Sequence, residues 1–153
     1  DERILSEIAR CAAHDAPISM LLVDVDYFKK YNDNYGHPEG DRCLALLGNS
    51  LRESLTRDNQ TVARYGGEEF ALILPDTDIQ EALRLAQTII RNVYSLQIDH
   101  AFSPFRRVTV SVGISTARAV DIAGSQQNLI IAADQALYQA KRAGRNRYAF
   151  VGL

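Results

Sequence analysis

The stretch Ala63-Arg64-Tyr65-Gly66-Gly67-Glu68-Glu69-Phe70-Ala71-Leu72-Ile73-Leu74 decides how this chain is read. Two apolar runs, Thr61-Val62-Ala63 and Phe70 to Leu74, flank a Gly-Gly pair. That pattern predicts a β-hairpin, because glycine adopts the positive φ angles of a tight turn without steric cost. Two carboxylates, Glu68 and Glu69, follow the glycines. Neighbours on a strand point to opposite faces, so these acids are expected to take different roles. Acids at a hairpin tip have no core to fill. They suit a hard cation, and Gly66 and Gly67 leave room for a bulky anionic ligand against the backbone.

Upstream, Ile18-Ser-Met-Leu-Leu-Val-Asp-Val25 is a short apolar run after Pro17, which predicts a buried central strand. Asp24 and Asp26 close it, and a carboxylate at the end of a buried strand needs a partner. Asp24 and Glu68 meet if their strands are neighbours. Asp26 is read as the N-cap of a short helix over Tyr27–Tyr35 that stops at Gly36. A second helix runs from about Pro38 to Leu55, with Cys43, Leu44, Leu47, Leu51 and Leu55 inward. An amphipathic helix over residues 2–14 carries Ile4, Leu5, Ile8, Ala9 and Ala12 on one side.

Beyond the hairpin, Asp78 caps a long helix whose apolar positions are Ile79, Leu83, Ala86, Ile90 and Val93. Val108 to Ser115 alternates strictly and reads as a strand. Ala119 to Ser125 reads as a loop. A helix rich in small residues follows, with Leu129, Ala133, Ala136, Leu137 and Ala140, and Gly144 at its end. Arg147 to Val151 is the last strand. The order predicts one α/β (α+β) domain over 1–153: a sheet of about five strands covered by helices.

The chain has 153 residues, 46% hydrophobic and 24% charged, with a net charge of -2. This suits one domain with a real core and gives no basic surface for long nucleic acids. Cys11 and Cys43 lack metal-ligand spacing and are expected to be free thiols in a reducing compartment. No apolar run reaches the length of a membrane span, so no membrane contact is expected of this segment. A cytoplasmic domain forming the C-terminal part of a longer protein, with any membrane anchor outside these residues, is the expectation.

Four blocks of the chain together resemble the GGDEF family, the diguanylate cyclases, here with the spelling Gly66-Gly67-Glu68-Glu69-Phe70. Asp24-Val25-Asp26-Tyr27-Phe28-Lys29-Lys30-Tyr31-Asn32-Asp33 resembles the family's strand-end metal motif. Tyr35-Gly36-His37-Pro38-Glu39-Gly40-Asp41 resembles its guanine-reading segment, and Ala133 to Asn146 its C-terminal phosphate motif. The resemblance implies a mostly antiparallel sheet of the cyclase and polymerase-palm kind. It also implies condensation of two GTP into cyclic di-GMP (c-di-GMP) with release of two pyrophosphates, on Mg²⁺ with Mn²⁺ as a substitute. The product's symmetry implies a homodimer, each copy presenting one GTP.

The resemblance assigns metal ligation to Asp24, the Val25 carbonyl and Glu68, and catalysis to Glu68, Glu69 and Lys29. Asp41, Asn32 and His37 would read guanine, while Phe28, Gly66, Gly67, Lys141 and Arg145 would surround the phosphates. Arg64 would hold the hairpin or touch ligand. Guanine fits Asp41 because a carboxylate accepts from both N1–H and the exocyclic amine, whereas adenine offers an acceptor at N1. Taken singly, these residues have ordinary explanations: acids at helix starts, Asn and His in turns, bases at helix ends. The family's Arg-x-x-Asp product-inhibition motif is degenerate here, reading Arg57-Asp58-Asn59-Gln60. A silent GTP- or product-binding module and a different palm-like nucleotidyl cyclase are the competing readings.

Overall fold

The computed structural model describes residues 2–122, 124 and 126–153, without the side chains of Arg3 and Ile4. The element order is α1 (Glu2–Ala13), β1 (Pro17–Val25), α2 (Phe28–Tyr35), α3 (His37–Ser54), β2 (Thr61–Arg64), β3 (Glu69–Pro75), α4 (Ile79–Ser95), β4 (Val110–Arg118), α5 (Ala119–Ile122), α6 (Gln126–Arg142) and β5 (Tyr148–Gly152). The five strands form one sheet in the order β2-β3-β1-β4-β5. β1 is antiparallel to both β3 and β4, β2 to β3, and only β5 runs parallel to its neighbour β4. The apolar run is therefore the central strand, as its composition predicts.

Alternation along β1 sends Leu21, Val23 and Val25 to one face, where they meet Leu47 and Leu51 of α3, Ile89 of α4, and Val112 and Ile114 of β4. Ile18, Met20 and Leu22 face the other way, against Ile8 of α1 and Leu129 and Leu137 of α6. Asp24 continues this second series, so its carboxylate is delivered to the α6 side of the sheet. The small residues of β4 on that side let α6 pack closely. A Cβ on Gly113 would lie 2.2 Å from the Ala133 carbonyl oxygen and 2.3 Å from the Leu137 nitrogen.

Several local expectations change. Asp26 does not cap α2: Tyr27 stands at the N-cap in a left-handed conformation (φ 56°) without a side-chain cap bond. The Asp26 carboxylate instead accepts from Ser111, Thr109 and the Asn146 backbone. Ala119–Ile122 is a short helix rather than a loop, while Ala123 and Ser125 lie outside the described residues. On α1 the buried positions are Ile8 and Cys11, and Leu5 and Ala9 are exposed. The Ile4 side chain lies outside the described residues.

On α4 the deepest residues are Ala82, Leu85, Ala86, Ile89 and Val93. Ile79, Leu83 and Ile90 are only partly buried, so the inner stripe is rotated relative to the expected one. Asp78 does cap α4, accepting from the Glu81 nitrogen at 3.0 Å. Cys11 and Cys43 are free and buried, and burial pushes the Cys43 thiol up to about 12. No helix among the described residues is long and apolar enough to cross a membrane.

Candidate active site

The two strand ends that carry the acids are neighbours. Asp24 on β1 lies directly opposite Glu69 on β3, which places the two side chains on one face of the sheet. One step on, the Val25 nitrogen donates to the Glu68 carbonyl oxygen at 3.3 Å, holding the hairpin tip against the end of β1. Asp24, Glu68 and Glu69 then line one cavity of about 380 Å³, together with Asp134, Leu137, Tyr138 and Lys141 of α6. The expected split of Glu68 and Glu69 onto opposite faces does not occur. Glu68 precedes the first residue of β3, so strand alternation does not govern it.

The hairpin also differs from a two-residue turn. β2 ends at Arg64 and β3 begins at Glu69, leaving a four-residue loop in which neither Gly66 nor Gly67 has a positive φ. The Tyr65 nitrogen donates to the Glu69 carbonyl oxygen at 2.9 Å. Arg64 holds the loop by donating to the Gly67 carbonyl oxygen while its guanidinium lies over the Phe70 ring. The value of the glycines is the space above them: a Cβ on Gly67 would meet nothing, and one on Gly66 only the Glu69 side chain at 3.5 Å.

Burial and mutual repulsion disfavour the ionised forms of these acids. Burial raises the Asp24 carboxyl above its ordinary value, and the hydrogen bond from Lys141 opposes this. Burial, and then the Asp24 charge, raise both Glu68 and Glu69. Lys141 Nζ forms an ion pair with Asp24 Oδ2, so the base expected at the phosphates also neutralises the innermost acid. Asp134, unremarked in the sequence, acts on Glu69 from α6 and adds a fourth carboxylate to the wall. Its place one helical turn before Tyr138 and two before Lys141 was the available signal.

Among the described residues no three His, Cys, Asp or Glu side chains form a ready-made metal cage. Mg²⁺ commonly takes few protein carboxylates and completes its octahedron with phosphate oxygens and water. Mutually repelling, half-buried oxygens beside a single ammonium are a donor set that such an ion fits.

A second cluster lies on α2 and the start of α3. A Cβ on Gly40 would lie 1.8 Å from Asn32 Oδ1 and 3.3 Å from the Phe28 ring, so these three residues are in close contact. Asn32 Oδ1 is buried with no hydrogen-bond partner. His37 and Asp41, at the start of α3, are exposed beside it. Arg145 packs its guanidinium 4.9 Å from the Tyr27 ring centroid and its charge acts on Asp24. Lys29 is exposed on the first turn of α2.

Arg57 and Gln60 sit apart, beside a cavity of about 470 Å³ between the end of α3 and α4. Gln60 is buried, and its Oε1 accepts from the Thr56 and Arg57 nitrogens at 2.9 and 3.2 Å. Arg57 donates to both Glu81 carboxylate oxygens at 2.7 and 2.8 Å.

The chain matches the family model described as "Diguanylate cyclase, GGDEF domain" over residues 1–147. It is 44% identical over 129 residues to diguanylate cyclase DgcM of Escherichia coli K12, covering 84% of this chain and 30% of DgcM. The chain thus spans about a third of the length of such curated relatives. Among solved structures, the active GGEEF domain of a diguanylate cyclase from Vibrio cholerae superposes with a TM-score of 0.80 at 30% identity, covering 95% of this chain and 89% of that one. The GGDEF domain of DgcB from Caulobacter crescentus, solved in complex with c-di-GMP, gives 0.85 at 28% identity, covering 99% and 86%. With the acid cluster at the β1–β3 end and a family model matched across nearly its whole length, this chain belongs to the GGDEF family of diguanylate cyclases.

Proposed function

We propose that this chain is a diguanylate cyclase domain that condenses two GTP into c-di-GMP and two pyrophosphates, with two copies facing each other. The observation that carries this reading is the convergence of Asp24, Glu68 and Glu69 on the Lys141-lined cavity. A Mg²⁺ held by these carboxylates would offset charge developing in the transfer.

The chain's own residues supply the rest. Asp24 and Glu68, with the Val25 carbonyl, would hold the ion. Lys141 and Arg145 draw the triphosphate toward the acids, and exposed Lys29 meets charge on its outer side. The first backbone N–H groups of α2, starting at Phe28, are free to donate to phosphate. Asn32 Oδ1, buried and unpartnered, accepts from a guanine N–H, and Asp41 accepts from N1–H and the amine. His37 borders the sugar. Glu68 takes the proton of the attacking ribose 3′-hydroxyl, with Glu69 assisting at the ion or the hydroxyl. Gly66 and Gly67 keep the approach open for the second nucleotide. One site binds one GTP, so the second 3′-hydroxyl comes from a partner copy and the rate rises with protein concentration.

The test is incubation of the protein with GTP or ATP and Mg²⁺, with products identified by mass. The reading expects c-di-GMP and its linear intermediate from GTP, and nothing from ATP. GTP binding without turnover at high protein concentration would make the chain a silent module.

The Arg57–Gln60 region supports a further expectation. An amide offers no full negative charge to product guanine, and here it is already spent on the Thr56–Arg57 backbone. Arg57 is committed to Glu81. Added c-di-GMP at micromolar levels should leave turnover unchanged. Potent non-competitive inhibition that disappears in Arg57→Ala would contradict this.

A further inference from the structure

Asp26 is 3% exposed and takes no part in the chemistry above. Its Oδ1 accepts from Ser111 Oγ at 2.6 Å, and its Oδ2 from Thr109 Oγ1 at 2.8 Å and from the Asn146 backbone nitrogen at 3.0 Å. Its own nitrogen donates to the Thr109 carbonyl oxygen at 2.9 Å. One carboxylate thus joins the end of β1, the start of β4 and the segment between α6 and β5.

That last segment is strained. Gly144, Arg145 and Asn146 have consecutive positive φ angles of 131°, 65° and 52°. Non-glycine residues stay in this region only where their surroundings hold them. The Asn146 side chain adds no bond through its Oδ1, which is buried without a partner. The end of α6 closes the first part of the turn, the Gly144 and Arg145 nitrogens donating to the Lys141 and Ala140 carbonyl oxygens at 3.3 and 3.1 Å, and Asp26 accepts the Asn146 N–H that follows. Arg145, between the strained neighbours, lies against Tyr27, and Tyr27 is covalently joined to Asp26 and itself left-handed at φ 56°. Asp26 therefore grips the Arg145 stack from both ends.

We propose that Asp26 is a positioning residue: by accepting the Asn146 N–H it fixes the turn that aims Arg145 at the phosphates. The proposal rests on the cyclase reading for the identity of the anion, not for the restraint itself. The carboxylate suits the task because it accepts from three donors at once, which no neutral side chain of that size does.

The test joins two readouts: hydrogen exchange at the Asn146 amide by NMR, and the KM for GTP. In Asp26→Ala, Asn146 exchange should accelerate. KM should rise about tenfold, the order expected for losing one charge-assisted contact, with a smaller change in kcat. Adding Arg145→Ala to Asp26→Ala should raise KM no further, because both act through one guanidinium. Asp26→Asn keeps an acceptor for Asn146 and should restore most of the protection and of the KM. If Asp26→Ala does not fold, Asp26→Ser carries the same expectation, its oxygen being too short to reach Asn146. Unchanged Asn146 exchange in a folded variant, or multiplicative effects of the two substitutions on KM, would overturn the proposal. A wild-type protein inert toward GTP would remove the cyclase reading, yet Asn146 exchange would still decide the restraint.

Discussion

Replacing Asp24 with asparagine is expected to abolish nucleotidyl transfer while leaving the fold standing. Asp24 is 5% exposed at the end of the central strand, faces Glu69 across the ladder and is paired to Lys141. Asparagine keeps the volume and one acceptor oxygen but removes the charge that an ion would bind. Lys141 is not orphaned by the change, because Glu68 and Glu69 remain in the same cavity. Burial already raises the Asp24 carboxyl, so its ionised form is costly to keep in place, and the amide relieves that cost. The melting temperature should hold or rise. Turnover should fall at least about a hundredfold, the order lost when one preorganised electrostatic group is removed. Rates and melting curves on the same preparation check both halves, and activity within tenfold of wild type would contradict the assignment.

Gly113→Ala should produce the largest loss of stability of any single methyl addition on this face. The new Cβ would fall 2.2 Å from the Ala133 carbonyl oxygen and 2.3 Å from the Leu137 nitrogen. Both are backbone atoms of α6, so no side chain can swing aside and the helix itself must move. Overpacking of this kind costs on the order of 3 kcal/mol. For a domain of this size that lowers the melting temperature by about 10 °C. The helix that moves carries Asp134 and Lys141, so activity per folded molecule should fall as well. Thermal unfolding measures the first effect and turnover below the transition the second. A melting temperature within about 2 °C of wild type would show that α6 does not sit as close to β4 as described.

The parts of the fold written in apolar patterning were legible. The run from Ile18 to Val25 is the central strand, and the hairpin around Gly66 and Gly67 forms with β3 beside β1. That adjacency is what lets Asp24 meet the hairpin acids. What was less legible depended on contacts distant in sequence. Asp26 looks like a helix cap because it precedes a helix, but Thr109, Ser111 and Asn146 capture it. The α4 stripe includes Ala82, Leu85 and Ile89, and sequence spacing alone does not separate that face from the equally apolar one of Ile79, Leu83 and Ile90. Glu68 and Glu69 share a cavity because the loop, not strand geometry, orients the first of them. Lys141 reads from sequence as a phosphate ligand, while its ion pair with Asp24 appears only when α6 is laid on the sheet.

The most direct test of the shared ion site is Mn²⁺ binding followed by electron paramagnetic resonance, with a slowly reacting GTP analogue present. One nucleotide-dependent Mn²⁺ site is expected in the wild type. Asp24→Asn and Glu68→Gln should each weaken it strongly. Mn²⁺ affinity that neither substitution alters would contradict this, because the two acids would then serve different places.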